Sequence, residues 1–262
     1  SFDWLHRCHQ RSQYHQGGAV NPIPVLYVIW SLDLGGAEQV VISLANGIDR
    51  SRFRPMVACL NGPGCFANLV AREGVPVFSL YKKGKFDLSV IPKLMRIIRE
   101  NRVQVVHTHL WGGNVWGRIA AWMTRVPARI VGEHGIQEWR GRFHHLIDRC
   151  LAPLCHRITF VTRSVQDDYT RLTGVSAARC RVIENGIDHV RFSPGTDRKA
   201  LRARAGLPVE GKIALAVGRL APEKRYDLLL KTLCEPQLDK TPLVLTVVGD
   251  GREKPSLLRL KE

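Results

Sequence analysis

Four short stretches carry residue types suited to chemistry. The first is IALAVGRLAPEKRYDLLL, residues 213–230. Its apolar run, Ile213 to Val217, has the length and composition of a strand buried on both faces. Gly218 allows a sharp turn, Arg219 follows at the carboxyl end of the strand, and Pro222 stands where a helix can begin. Lys224 and Arg225 then fall in the first helical turn, ahead of Leu228, Leu229 and Leu230. Cations avoid helix starts because the macrodipole is already positive there, so three together suit a bound anion. Arg219 as a planar fork and Lys224 as a point charge fit a diphosphate. A solvated basic turn on a basic protein is the plainer alternative.

The second stretch is Gly35-Gly36-Ala37-Glu38. Paired glycines admit a ligand close to the backbone and expose helix amides to it, or serve only as a tight turn. It is not a dinucleotide fingerprint, and Gly249-Asp250-Gly251 does not complete one either. The third is the strand-ending pair His107-Thr108-His109 and Glu133-His134-Gly135. Alternation puts His107 and His109 on one face near the carboxyl edge of a sheet. Donors to a polyhydroxylated ligand, a metal site and packed strand-end residues are all open readings. The metal reading lacks firm third and fourth ligands in the spacing. The fourth stretch, Gln137 to Arg157, mixes Trp139, Phe143, Leu146, Ile147 and Leu151 with Arg140, Arg142, Arg149 and Arg157. It reads as a basic helix with aromatic anchors lying on an anionic bilayer, or as an ordinary helix covering a sheet. No nucleophile elbow, Walker loop, Cys–His pair or close carboxylate pair is present. Chemistry resting on a good leaving group fits that poverty.

These stretches must be held by a repeating frame. Residues 1–21 are polar, rich in His and Gln, and read as a mobile leader. Strands and helices then alternate: strand 25–30, helix 37–48, strand 53–60, helix 66–72, strand 75–80, helix 88–100, strand 103–108 and helix 115–124. The series continues with strand 128–133, helix 143–150, strand 157–161, helix 165–172 and strand 180–184. Such alternation specifies a parallel sheet covered on both faces. Residues 185–197, NGIDHVRFSPGTD, form the junction between domains. A second alternation follows, with helix 199–205, strand 213–217, helix 226–234 and strand 243–248. It stops before a doubly wound sheet is complete. The domains are therefore set at 22–186 and 187–262, the second incomplete.

With 262 residues and a formal charge of +16, the chain calls for an anionic partner: phosphorylated small molecules, a membrane surface or nucleic acid. The absence of RNA-binding aromatic patterns and zinc-finger spacing argues against nucleic acid. Seven scattered cysteines suit a reduced, cytoplasmic protein, and no apolar run approaches the roughly 20 residues of a membrane helix. The chain begins with Ser1, which reads as a piece of something longer.

The motifs Gly35-Gly36-Ala37-Glu38, VVHTHL, Glu133-His134-Gly135, Asn185-Gly186-Ile187-Asp188 with Phe192, VGRLAPEK and VVGDG stand in the order seen in family 4 glycosyltransferases. The resemblance runs from about Val25 to Gly251. It implies a GT-B fold, two Rossmann-like domains facing across a cleft, and retaining transfer from a nucleoside-diphosphate sugar. The acceptor it implies is a glycan or lipid-linked saccharide. By the same resemblance Arg219 and Lys224 bind the donor diphosphate, with Gly218 and Gly249 near the nucleotide. Gly35 and Gly36 approach the phosphates across the cleft, His109 contacts the donor sugar as the catalytic residue, and Glu133 and His134 line the acceptor side. No metal or other cofactor is implied. The expected location is cytoplasmic, or peripheral on the inner membrane face. The paired-glutamate segment that grips the donor in this family has no counterpart before residue 262, so this piece is expected to be inactive alone. Arg225 stands where many relatives have a small residue. A nucleotide-sugar epimerase of similar fold and a non-catalytic module binding sugar nucleotides or polyanions are the rival readings.

Overall fold

The computed structural model describes residues 21–84, 86–135, 139–190, 192–195, 197–233 and 243–261. The leader expected over 1–21 lies outside them apart from Asn21, as do Gln137 and Cys234. The chain divides into two units, with the division between Gly186 and Ile187.

The first unit is built on β1 (Ile23–Ile29), β2 (Phe53–Cys59), β3 (Val77–Ser79), β4 (Val105–His109), β5 (Ala128–Glu133), β6 (Arg157–Phe160) and β7 (Cys180–Val182). They form one sheet in the order β3-β2-β1-β4-β5-β6-β7, with every pairing parallel. Between them run α1 (Gly36–Gly47), α2 (Ala67–Ala71), α3 (Val90–Glu100), α4 (Leu110–Met123), α5 (Arg142–Leu151) and α6 (Arg163–Thr173). The period of two along β1 sorts its side chains between two cores. Leu26 and Val28 join Leu94 and Ile98 of α3 and Ala120 and Ala121 of α4. Tyr27 and Ile29 join Val41, Ile42 and Ala45 of α1 on the other face. Parallel strands need this cover on both sides, which explains the apolar run of β1.

Strand order reverses direction between β1 and β4, and ligands of open α/β sheets sit outside the carboxyl ends at such a point. The Gly35–Gly36 turn follows β1, and His109 is the last residue of β4. Helix α4 begins at Leu110, five residues before the start read from the sequence. The Gly112-Gly113 pair does not break it. A Cβ on Gly113 would come 2.8 Å from the Val28 carbonyl oxygen, so glycine there lets α4 lie against β1. Leu110 turns the chain directly from strand into helix at φ 61°, and His109 becomes the residue capping the helix start. Helix α6 shows the same logic at its ends. The Thr162 side chain accepts from the Val165 amide at 3.2 Å, and Gly174 closes the helix at φ 70°.

The second unit contains α7 (Arg198–Arg204), β8 (Lys212–Val217), α8 (Tyr226–Leu233), β9 (Leu243–Val248) and α9 (Lys254–Lys261), with β8 and β9 paired in parallel. Two expectations are corrected here. Strand β8 is not buried on both faces: Leu215 and Val217, on one side of it, are 61% and 69% exposed. Among the described residues only β9 pairs with β8, and nothing covers that side. Nor do Lys224 and Arg225 lie in the first turn of α8. Pro222–Lys224 form a separate 3-10 turn, and Arg225, at φ 52°, is the link into the helix.

Candidate functional site

In the first unit the candidate residues collect at the carboxyl ends of β4 and β5. Parallel register sets His109 beside Gly132, whose missing side chain leaves room for the imidazole; a Cβ there would meet His109 Nδ1 at 2.8 Å. The ring therefore reaches across to His134, Nδ1 to Nε2, at 2.8 Å. His107, two residues back on the same face, has its ring 4.2 Å from that of His109 and tilted by 44°, and Tyr27 of β1 lies 5.8 and 6.1 Å from the two rings. Burial, and secondarily His134, pushes His107 down to about 4. Burial, then His107 and His134, holds His109 well below the ordinary histidine value. Burial also lowers His134. Each is a neutral imidazole near pH 7, able to offer one donor and one acceptor. Nε2 of His107 and Nε2 of His109 are buried with no hydrogen-bond partner among the described residues.

Glu133 ends β5 but faces inward. Its Oε1 accepts from Asn114 Nδ2 at 3.0 Å and its Oε2 from Arg140 Nη1 at 3.0 Å. Arg140 Nη2 also bonds Asp148, whose other oxygen takes Arg118 Nη2 at 2.8 Å. Arg118 Nε returns to the Asn114 carbonyl at 2.7 Å, and Thr108 Oγ1 donates to Asn114 Oδ1 at 2.8 Å. Two carboxylates and two guanidiniums thus alternate in a charge-balanced chain, each of the four residues at most 8% exposed. Burial lifts the Glu133 carboxyl above its ordinary value, opposed by Arg140. The carboxylate read as an acceptor-side group has both oxygens occupied within its own unit, so it braces the strand end that carries His134.

Sequence reading missed Asn114, Arg118, Arg140 and Asp148 as a group. Asn114 and Arg118, four apart in the otherwise apolar α4, were the available signal; Arg118's partner Asp148, on α5, lies 30 residues further on.

At the start of α1, Gly35 sits against its own first-turn acid: a Cβ there would come 2.1 Å from Glu38 Oε2. Gly36 has nothing within 4 Å of that position.

In the second unit the turns after β8 and β9 are zipped together by Gly218 N to Val248 O at 3.0 Å and Leu220 N to Asp250 O at 2.9 Å. A Cβ on Gly249 would lie 1.9 Å from the Gly218 carbonyl oxygen, so only glycine permits this contact. Gly218, Arg219 and Gly249 therefore belong to one double turn, and Lys224 ends the 3-10 turn that follows it. Arg219 pairs with Glu223 at 2.8 Å and Arg225 with Asp227 at 3.2 Å, both at the surface, and Lys224 is exposed. Two of the three cations thus carry local counter-charges, which softens the argument from crowded positive charge. No group of three or more His, Cys, Asp or Glu suited to a metal occurs among the described residues. No helix among them is long and apolar enough to cross a membrane.

The profile described as Glycosyltransferase Family 4 matches residues 34–191. The chain belongs to that family. A D-inositol 3-phosphate glycosyltransferase of Xylanimonas cellulosilytica is 30% identical over 177 residues, covering 61% of this chain and 41% of the relative. The structure of Anabaena HepE in complex with UDP superposes with a TM-score of 0.75 at 21% identity, over 91% of this chain and 65% of that one. HepE in complex with UDP and glucose gives 0.72. The family 4 chain thus spans less than two thirds of the length of each, and its fold is the GT-B type of two α/β units.

Proposed function

We propose that this family 4 chain is part of a retaining hexosyltransferase that moves a sugar from a nucleoside-diphosphate donor to a glycan or lipid-linked saccharide. The observation that carries the reading is the glycine-zipped double turn at the carboxyl ends of β8 and β9, which holds Arg219, with Lys224 at the end of the 3-10 turn that follows. The name of the inositol-phosphate relative and the UDP bound by HepE point the same way. In the reaction the bond between sugar C1 and the diphosphate oxygen breaks, and that oxygen keeps the electron pair. Arg219 and Lys224 stabilise the charge developing there. The acceptor hydroxyl forms the new bond to C1 on the same face, and its proton leaves with the diphosphate. His109, a neutral imidazole whose ring is fixed by His134, contacts the donor sugar. Gly35 and Gly36 supply further phosphate contacts. The reaction needs no metal and goes on unchanged in chelator.

The test is calorimetry of the full-length enzyme with UDP, then product analysis with donor alone and with acceptor. Loss of UDP affinity in Arg219→Ala and Lys224→Ala, with transfer only when acceptor is present, supports the reading. Epimerised donor without acceptor would make the protein an epimerase, and binding without turnover a non-catalytic module.

A further inference from the structure

Helix α5 is amphipathic in the wrong sense for a helix that packs on a sheet and faces water. Its one fully buried residue is Asp148, while Phe143 and Leu146 are 66% and 56% exposed. The inward face is explained by the ion chain, because Asp148 takes guanidiniums from Arg118 and Arg140. The outward face is not. Phe143, Leu146 and Cys150, spaced i, i+3, i+7, form one exposed stripe, and Trp139, four residues ahead of Phe143, is 57% exposed. Trp139 is held edge-on by Trp111 at 5.9 Å and His144 at 5.1 Å, so it is a fixed projection from the surface. Arg142 and Arg149, two turns apart and both exposed, run beside the stripe. Among the described residues of α5 there is no exposed acid.

We infer that the outer face of α5, with Trp139, docks on the headgroup region of an anionic lipid bilayer. Aromatic and aliphatic tips flanked by arginines match a surface that is apolar below and negative above. A second copy is disfavoured as occupant, because a self-interface would bring Arg142 and Arg149, on a chain of charge +16, against their own kind. The buried pairing of Asp148 also serves this surface: it removes the helix's only carboxylate from the side that would meet anionic headgroups. The inference goes beyond the transferase reading and does not depend on it, since lipid binding needs neither donor nor acceptor.

The experiment is co-sedimentation of the full-length protein with vesicles of phosphatidylglycerol and phosphatidylcholine in equal parts, and with phosphatidylcholine alone. Two variants are compared, Phe143→Ser with Leu146→Ser, and Arg142→Gln with Arg149→Gln. All four side chains are exposed, so both variants should melt like the parent. The expected result is binding to the anionic vesicles only, weakened by added salt and reduced roughly tenfold or more in each variant. Binding unchanged in both variants, equal binding to phosphatidylcholine, or no vesicle binding by the parent would overturn the inference. So would a dimer in the parent that the serine variant dissociates, which would make α5 an interface between copies.

Discussion

Nδ1 of His109 lies 2.8 Å from Nε2 of His134, joining the last residue of β4 to the residue after β5. One nitrogen donates and the other accepts, so the contact requires that the two rings not both be charged. The His107 ring lies against that of His109, and its own pKa is pushed down to about 4 by burial. A group whose folded-state pKa is depressed binds fewer protons folded than unfolded, so stability rises with pH between the two values. The contribution of His107 is complete above about pH 6.5 and is lost as pH falls toward about 4, on the order of 3 kcal/mol. Urea midpoints taken from about pH 7.5 down to about pH 4.5 should fall steeply in the parent and less steeply in His107→Phe. Equal slopes would mean that His107 is not a buried neutral imidazole.

Arg140 serves two carboxylates, Glu133 and Asp148. Arg140→Met should cost about 3–5 kcal/mol, because it leaves buried negative charge under-compensated. Combining it with Glu133→Gln should recover part of that loss, since the second change removes one of the stranded charges. Chemical denaturation of the two single variants and the double variant measures the coupling.

Two glycines should separate folding from binding. Gly249→Ala places a methyl 1.9 Å from the Gly218 carbonyl oxygen and should destabilise the second unit by about 1–3 kcal/mol. Gly36→Ala meets nothing within 4 Å and should fold with a stability within about 0.5 kcal/mol of the parent. If Gly36 approaches donor phosphates, the same Gly36→Ala protein will nonetheless bind UDP more weakly. Unchanged affinity in calorimetry would remove Gly36 from the donor site.

The pairing of Arg219 with Glu223 is a surface contact, worth about 0–1 kcal/mol. Glu223→Gln should therefore shift UDP affinity by less than about fivefold. Arg219→Ala should weaken it by roughly tenfold to a hundredfold, the value of a charge-assisted contact to phosphate. Parent-like affinity in Arg219→Ala would sink the assignment of this turn to the diphosphate.

Apolar runs and the glycines between them were enough to read the α/β alternation, since each strand buried on two faces must be continuous in hydrophobicity. The shared face of His107 and His109 followed from strand geometry alone, and the six ordered motifs carried the family. Those are local properties, written within a few residues of one another. What the tertiary structure decided lies between segments. The sequence reading starts this helix at residue 115, yet the approach of α4 to β1 makes Gly112 and Gly113 part of it. Glu133 looked available, yet Asn114 and Arg140 hold both its oxygens. Asp148 carries no signal of its own in the sequence, and it is the buried anchor that turns Phe143 and Leu146 outward. Burial and ion pairing depend on which segments fold together, and spacing along the chain records only what is near in sequence.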